Sequence, residues 1–212
     1  MSVYTVYPNK KPTVDVTRRM LSLQDFPEPV LAPLMHHKNY LVPREIVWGG
    51  LSDYSAYLTT DGVCFLLTGC LGYQVRVTLP GALTRFLFPG GVPLRSALYV
   101  PTVTRLWGQE LVIVEGTTDA LAVAQLGYRT VSLLGSSVTP EKIAGIKGLM
   151  AEVPGTTPYI IPDNDLPGIG VVEKLCDGGI YPRLLYLPSY AKDICELGVV
   201  ERLEFLEKGI GW

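Results

Sequence analysis

Two short apolar runs, each ending in acidic residues, constrain what this 212-residue chain can fold into. The first run, ELVIVEG, ends at Glu115, and the second, YIIPDND, ends at Asp163 and Asp165. Short apolar runs without polar alternation are typical of strands buried on both faces of a parallel sheet. Open parallel α/β sheets build their sites at the carboxyl ends of the strands. The acidic side chains are therefore predicted to meet at that edge.

Carboxylates that meet at one sheet edge repel one another, which favours a bound cation. Two carboxylates ~4 Å apart repel by roughly 4 kcal/mol at an effective dielectric constant near 20. Carboxylate oxygens are hard ligands that select Mg²⁺ or Mn²⁺. Asp163 and Asp165 are two residues apart, so both can point to one side of an extended segment. The sequence therefore predicts a Mg²⁺ or Mn²⁺ site, and the alternative is that these acids cap helices or turns.

The rest of the second half alternates between strand-like and helix-like segments. After the first acidic run, Thr117 or Thr118 is the predicted cap of an apolar helix, and Thr139 begins the next helix with proline in its first turn. Gly168 opens a third helix, and an amphipathic helix through Lys208 ends the chain. This alternation predicts a mostly parallel sheet flanked by helices.

The segment before the first acidic run has the sequence pattern of paired β-strands. The runs VCFLL and YQVRVTL flank a glycine-containing turn and predict a β-hairpin. Arg76 lies in the second run, and Arg85 and Arg95 follow between apolar and aromatic residues. Arginine offers a planar fork for phosphate, and aromatic rings can stack on single-stranded bases. Ordinary surface arginines on a hairpin are the alternative interpretation.

Four segments, in this order, resemble the motifs of the Toprim domain found in primases, topoisomerases and some nucleases. They are VEGTTDALA, LLGSS, the DxD of IPDND, and AKD at residues 191–193. The best match is to bacterial DnaG-type and phage primases, whose first motif also has Glu-Gly, two residues, an acid and an apolar helix. Here that acid is Asp119. Residues 61–100 resemble the small subdomain that precedes Toprim in these enzymes.

The resemblance implies an α/β fold with two parts. These are a Toprim (Rossmann-like) domain with a mostly parallel sheet flanked by helices, and a smaller α+β subdomain before it. We expect residues 1–35 to form an N-terminal arm or linker and residues 36–105 to form the small subdomain. Residues 106–212 are expected to form the Toprim domain with its C-terminal helix.

The resemblance also implies which residues form the site. The expected catalytic acids are Glu115, Asp163 and Asp165, with Glu115 a metal ligand or a proton acceptor. The expected metal ligands are Glu115, Asp119, Asp163, Asp165 and Asp193. The expected nucleotide or nucleic-acid contacts are Arg76, Arg85, Arg95, Gly116, Gly135 and Lys192. The family often has a second acid two residues after the position of Asp193, where this chain has Cys195, and that departure leaves the number of metals open.

The amino-acid composition limits which kinds of protein and binding site remain to be considered. A hydrophobic content of 48% supports a substantial core, and a net charge of −2 gives no global electrostatic case for nucleic-acid binding. Any such binding is expected to use a local basic strip. The four cysteines form no CxxC pair and no Cys/His finger spacing, so we expect no zinc site. No leader or membrane-length apolar run is seen, and we expect a cytoplasmic protein of a bacterial or phage-infected cell without membrane contact.

These features together predict a primase core, from a phage or mobile element, that makes short RNA primers on a single-stranded DNA template. Its partners would be the template, nucleoside triphosphates and a replicative helicase. One rival is a Toprim magnesium-dependent nuclease, which would use the same acids to activate water. Another is a non-catalytic module that holds metal-bound nucleotide or docks on a helicase, and Cys195 is its best support. The arginine-bearing hairpin favours synthesis, because a bare nuclease has no obvious use for it.

Overall fold

The structure is a computed structural model that describes residues 4–6, 26–70, 72–103 and 109–211. The strands in these residues are β1 (Tyr4–Val6), β2 (Ala56–Leu58), β3 (Gly62–Leu66), β4 (Tyr73–Val77), β5 (Phe86–Pro89), β6 (Leu111–Val114), β7 (Arg129–Ser132), β8 (Tyr159–Ile161) and β9 (Arg183–Leu184). The α-helices are α1 (Met35–Leu41), α2 (Thr117–Ala124), α3 (Pro140–Ala151), α4 (Leu166–Asp177) and α5 (Val199–Ile210). Short 3₁₀ turns lie at Val42–Arg44, Leu51–Tyr54 and Ile194–Glu196.

The second half of the chain forms a four-stranded sheet in the order β7-β6-β8-β9, and every neighbouring pair is parallel. Val114, the last residue of β6, pairs with Ser132 of β7 and with Ile161 of β8. All four residues of β6 and all three of β8 are buried, as the two apolar runs predicted. The acidic residues that follow these strands therefore leave the sheet at the same edge.

Helices cover both faces of this sheet because successive strand residues point to opposite sides. Ile113 of β6 packs in one cluster with residues of α3 and α4, including Ile146 and Leu175. Val114 belongs to a second cluster that contains Leu206 of α5 and the apolar residues of α2. The predicted parallel sheet flanked by helices is confirmed.

The first half of the chain forms a five-stranded antiparallel sheet in the order β1-β5-β4-β3-β2. The predicted hairpin is confirmed, since β3 and β4 pair antiparallel with Cys64 opposite Val75. At the far edge, Tyr4–Val6 pairs with β5. The segment expected to be an arm or linker therefore contributes an edge strand to this sheet.

Tyr99 joins the two sheets. Its backbone N–H donates to Ser132 O at 3.2 Å, and Ser132 N–H donates back to Tyr99 O at 2.8 Å, along β7, the outer strand of the parallel sheet. The Tyr99 ring lies 5.0 Å from the Phe65 ring of β3 in an edge-to-face arrangement. Since both rings belong to the cluster that contains α2, a single apolar core spans the antiparallel and parallel halves.

The N-termini of three helices can be compared with the positions predicted from the sequence. Thr139 caps α3 as predicted, because its side chain accepts a hydrogen bond from Lys142 N. The predicted cap of α2 was wrong: Gly116 is the N-cap, and the Thr117 and Thr118 hydroxyls instead bond to residues of the antiparallel half. The predicted start of α4 at Gly168 was also wrong, since the helix begins at Leu166. Among the described residues, no helix is long and apolar enough to cross a membrane.

Candidate active site

A cavity of about 240 Å³ lies where the carboxyl edge of the parallel sheet faces the antiparallel sheet. Four carboxylates line it, here called the acidic wall: Glu115, Asp119, Asp163 and Asp193. Three arginines from the antiparallel half line it as well, here called the basic wall: Arg44, Arg76 and Arg85. The cavity thus brings together residues from seven separate segments, most of them at strand ends and turns.

Each acid of the acidic wall is carried by a different element. Glu115 follows β6 and Asp163 follows β8, as the strand-end prediction required. Asp119 lies in the first turn of α2, and Asp193 begins the 3₁₀ turn after β9. Asp163 N–H donates to Glu115 Oε1 at 3.2 Å, which ties the two strand ends together. Glu115 is only 6% exposed and Asp119 9% exposed, so the cluster is largely removed from water.

Burial and mutual repulsion raise the pKa values of these acids. Burial, followed by the charges of Asp119, Glu115 and Asp193, raises the pKa of Asp163 to about 8. Burial, followed by the charge of Asp193, raises the pKa of Asp119 to about 6. Burial also raises the pKa values of Glu115 and Asp193. A divalent cation among these oxygens would relieve the repulsion, so the donor set fits Mg²⁺ or Mn²⁺.

Two glycines allow the acids to approach. A Cβ at Gly116 would lie 2.2 Å from Asp119 Oδ2, and a Cβ at Gly168 would lie 2.3 Å from Asp163 O and 3.0 Å from Glu115 Oε1. Any side chain at either position would displace an acid. Gly116 also lines the cavity, as does Gly135, which has φ of +108° and no atom near the position of a Cβ. Both glycines therefore present backbone to the cavity.

Asp165 lies outside the acidic wall. Its Oδ1 accepts from Gly168 N at 3.1 Å, which makes Asp165 the N-cap of α4. Its Oδ2 lies 3.6 Å from Lys192 Nζ, and of this pair only Lys192 lines the cavity. The structure thus gathers four of the five expected metal ligands and places the fifth beside them, in the capping role that the sequence left as an alternative.

Of the three arginines expected to contact nucleotide or nucleic acid, Arg76 and Arg85 line the cavity and Arg95 does not. The Arg76 guanidinium lies 5.1 Å from the Tyr40 ring centroid and 4.9 Å from that of Phe86. Its buried Nε has no hydrogen-bond partner within the described residues. Arg85 is exposed and lines the cavity. Arg95 does not line it; its exposed side chain lies 3.5 Å from Glu141 Oε1 of α3.

Tyr40 and Arg44 also line the cavity, although the sequence patterns had not pointed to them. The Arg44 guanidinium lies 4.2 Å from the centroid of the Tyr40 ring, and its Nη1 donates to Tyr40 O at 2.9 Å. The Tyr40 hydroxyl in turn bonds to Thr118 Oγ1 of α2 at 2.9 Å. The i, i+4 spacing of an aromatic residue and a cation places both on one helix face and could have indicated the pair.

Cys195 stands at the position where the resemblance led us to expect an acid. Its Sγ and carboxylate oxygens of Asp119 and Asp193 lie within 4.8 Å of one another. Burial raises the pKa of the Cys195 thiol well above its ordinary value, and the Asp119 charge adds to the rise. Since thiolate rather than thiol ligates metals, the neutral Cys195 makes this corner of the cavity a weaker site for a hard cation than a carboxylate would.

Residues 112–197 match the family model described as Toprim-like. This segment is a Toprim domain. Its match covers β6 through the turn that carries Asp193 and Cys195, and therefore every acid of the acidic wall. The resemblance and the fold expected from the four motifs are confirmed. No curated protein sequence matches the chain.

Solved structures extend the likeness beyond the Toprim domain. The RNA polymerase domain of Mycobacterium tuberculosis primase DnaG, solved with double-stranded DNA, is similar with a TM-score of 0.59 at 15% identity, over 82% of this chain and 73% of that one. A DnaG primase catalytic domain bound to single-stranded DNA gives a TM-score of 0.57 at 18% identity, over 83% and 71%. The primase fragment of the bacteriophage T7 primase-helicase protein gives 0.54 at 18% identity, over 98% and 83%. The antiparallel half and the Toprim domain together thus have the fold of primase cores.

Proposed function

We propose that this protein is a primase core that synthesises short RNA primers on single-stranded DNA by metal-dependent nucleotidyl transfer. The observation that carries the proposal is the pairing of an acidic wall with a basic wall in one cavity. An acidic wall alone serves cleavage as well as synthesis. Arg76 and Arg85, which come from the antiparallel half, provide the cationic surface that a triphosphate and a template strand require.

The proposed chemistry assigns separate tasks to the two walls. A 3′-hydroxyl attacks the α-phosphate of a nucleoside triphosphate, and negative charge accumulates on the phosphates as pyrophosphate leaves. Mg²⁺ or Mn²⁺ held by the acidic wall would supply positive charge that polarises the phosphate and stabilises the leaving oxygens. Glu115 holds the cation or accepts the proton of the attacking hydroxyl. Arg76, Arg85 and Lys192 bind phosphate oxygens and orient the nucleotide.

The template is proposed to lie along the antiparallel half. Phe86 and Tyr40 lie beside Arg76, so this wall combines aromatic rings with positive charge, the combination that binds single strands without sequence preference. The structural likeness to DnaG domains solved with DNA supports DNA as a ligand. The likeness to the phage T7 primase-helicase fragment supports a replicative helicase as partner. The proposed location is the cytoplasm of a bacterial or phage-infected cell.

Incubation with a single-stranded template, labelled nucleoside triphosphates and Mg²⁺ tests the proposal. We expect labelled oligomers that disappear with EDTA and with Asp163→Asn, and that persist with Arg95→Ala, whose side chain lies outside the cavity. Shortened template without labelled product would instead make the protein a nuclease. Binding of nucleotide or template without any reaction would make it a non-catalytic module.

A further inference from the structure

Arg202 of α5 is the largest fully buried side chain among the described residues, at 1% exposure. Its Nε donates to Ile194 O at 3.1 Å, and its Nη2 donates to Leu197 O at 2.8 Å and to Arg44 O at 3.0 Å, all of them backbone carbonyl oxygens. Within the described part of the chain, no carboxylate forms a salt bridge with it. Its charge does act on Asp119 of the acidic wall, where it offsets part of the rise in the pKa of that acid. A buried charge without a directly paired carboxylate is destabilising relative to an apolar residue, so its presence calls for a specific reason.

The three carbonyl groups belong to segments that carry both walls of the cavity. Ile194 and Leu197 belong to the turn that begins at Asp193, which is a member of the acidic wall. The Arg44 carbonyl ends the 3₁₀ turn Val42–Arg44, and the Arg44 side chain belongs to the basic wall. One guanidinium therefore holds the backbone behind Asp193 and the backbone behind Arg44 at a set separation.

A second hydrogen bond joins the same two regions. Here the acceptor is a side chain of the antiparallel half and the donor is a backbone amide at the start of α5. Glu45, the residue after Arg44, has a left-handed backbone with φ of 49°, and its Oε2 accepts a hydrogen bond from Val199 N. Val199 is the first residue of α5, whose N-cap Gly198 has no side chain to satisfy that amide. The antiparallel half thus caps the helix from which Arg202 extends.

We propose that Arg202 and Glu45 form a clasp that sets the spacing between the acidic wall and the basic wall. Arg202 is a positioning residue: it orients Asp193 towards the metal and Arg44 towards the nucleotide without contacting either ligand. Arginine suits this task because its planar guanidinium presents five N–H donors in fixed directions. A lysine ammonium would preserve the charge but lacks the rigid planar set of donors. The clasp rests on the proposed function only in taking the cavity as a metal and nucleotide site.

The test compares Arg202→Lys with Arg129→Lys. Arg129 is the control, because it also donates to two backbone carbonyls, Gln109 O and Leu149 O, but lies away from this cavity and pairs with Glu152. Mn²⁺ affinity is measured by electron paramagnetic resonance, and thermal melts of each variant are recorded in EDTA. We expect Arg202→Lys to weaken Mn²⁺ binding about tenfold, as outer contacts of metal ligands typically do. Arg129→Lys should lower the melting temperature while leaving Mn²⁺ affinity unchanged.

A double-mutant cycle tests the other side of the clasp through the affinity for a non-hydrolysable nucleoside triphosphate. If Arg202 positions Arg44, the Arg44→Ala substitution should weaken nucleotide binding less in the Arg202→Lys background than in the wild type. Glu45→Ala should weaken nucleotide binding by about threefold, the effect of losing one hydrogen bond. Glu45→Ala also keeps the test open if the Arg202 variants fold poorly.

Wild-type Mn²⁺ affinity in a folded Arg202→Lys variant would overturn the proposal, as would equal weakening in Arg129→Lys. Losses that simply multiply in the double-mutant cycle would remove the link to Arg44. None of these measurements depends on primer synthesis. A protein that makes no primers but shows the expected Mn²⁺ and nucleotide changes would therefore refute the proposed reaction and leave the clasp standing.

Discussion

The two walls of the cavity differ in how their charges are buried and in what those charges do to the stability of the fold. The acidic wall has its charges largely buried, with Glu115 and Asp119 below one-tenth exposed, and burial and repulsion raise the pKa values of its members. The basic wall keeps Arg85 exposed and places Arg76 against two aromatic rings, where the cation is stabilised by the ring faces. The acidic wall therefore opposes folding until a cation binds, whereas the basic wall is compatible with a stable protein without any ligand.

From this difference we expect the acidic wall to supply the chemistry and the basic wall to supply the binding affinity. Groups that are held against stability are typical of functional sites, since they cannot be explained by their contribution to the fold. Removing an acid should therefore stabilise the metal-free protein and abolish activity. Removing an arginine should weaken binding and leave the stability nearly unchanged.

The largest expected effect is that of Asp163→Asn. We expect primer synthesis to fall at least about a hundredfold, because the acidic wall loses a ligand for the charge that stabilises the transition state. The melting temperature in EDTA should rise, since asparagine avoids the cost of an acid that the fold must protonate or hold against repulsion, and the gain on adding Mg²⁺ should shrink. Thermal melts of wild type and variant with EDTA and with Mg²⁺ measure both. A variant that melts lower in EDTA would show that the acids do not form one shared cation site.

Asp165→Asn provides the matched contrast at the neighbouring acid. Asparagine caps helices about as well as aspartate, so α4 should keep its cap and the melting temperature should barely change. Because Asp165 lies outside the cavity lining, we expect the Mg²⁺ gain to be retained. A gain reduced as much as in Asp163→Asn would assign Asp165 to the metal ligands, as the resemblance implied.

The pH dependence of stability should differ between metal-free and metal-bound protein. Asp163 has a usual pKa of 3.8, raised to about 8 in the fold, so between these values the folded protein binds more protons than the unfolded chain. The metal-free protein should therefore lose stability as pH rises from about 4 to about 8. Mg²⁺ requires the ionised acid, so its stabilising effect should grow over the same range. Urea unfolding at about pH 5, 6.5 and 8 checks both slopes, and Asp163→Asn should flatten them.

Arg76→Ala sharpens the comparison from the other wall. We expect template or nucleotide affinity to fall about tenfold, roughly 1.4 kcal/mol, with a smaller change in unfolding free energy. Arg95→Ala is the natural control, since its side chain pairs with Glu141 outside the cavity. The resemblance to primases implied that both arginines bind nucleotide or nucleic acid. Equal losses at matched salt for the two variants would restore that expectation, and no loss for either would return both to the surface.

The smallest expected effect is that of Cys195→Asp. A carboxylate beside Asp119 and Asp193 adds a hard ligand and a repelling charge. We expect the melting temperature to fall in EDTA by about 2–4 °C for each 1 kcal/mol of added repulsion, and the Mg²⁺ gain to increase. Cys195→Ser changes neither charge nor volume greatly and is the control. An unchanged Mg²⁺ gain in Cys195→Asp would place this corner outside the metal site.

The sequence alone was enough for the parallel sheet, the hairpin and the location of the acids after strands. These follow from local rules: residues 111–114 and 159–161 are apolar throughout, which suits strands covered on both faces, and the carboxyl ends of parallel strands must share an edge. The cap of α3 at Thr139 followed equally from a local signal. Such features depend on neighbours in the chain and need no knowledge of the distant packing.

Local sequence patterns do not determine which polar groups face one another, because that depends on how distant segments pack. Asp163 and Asp165 stand two residues apart, yet one enters the cavity and the other caps α4, because the chain turns into the helix at Leu166 instead of staying extended. Thr117 and Thr118 were predicted to cap α2, but their hydroxyls bond to Gln74 and Tyr40, which come from the other half of the protein. Arg202 likewise has no local signal, since its partners at residues 44, 194 and 197 meet only when α5 packs against both halves. Hydrogen bonds between distant segments form only once the apolar core has set their positions, so local sequence patterns cannot specify them.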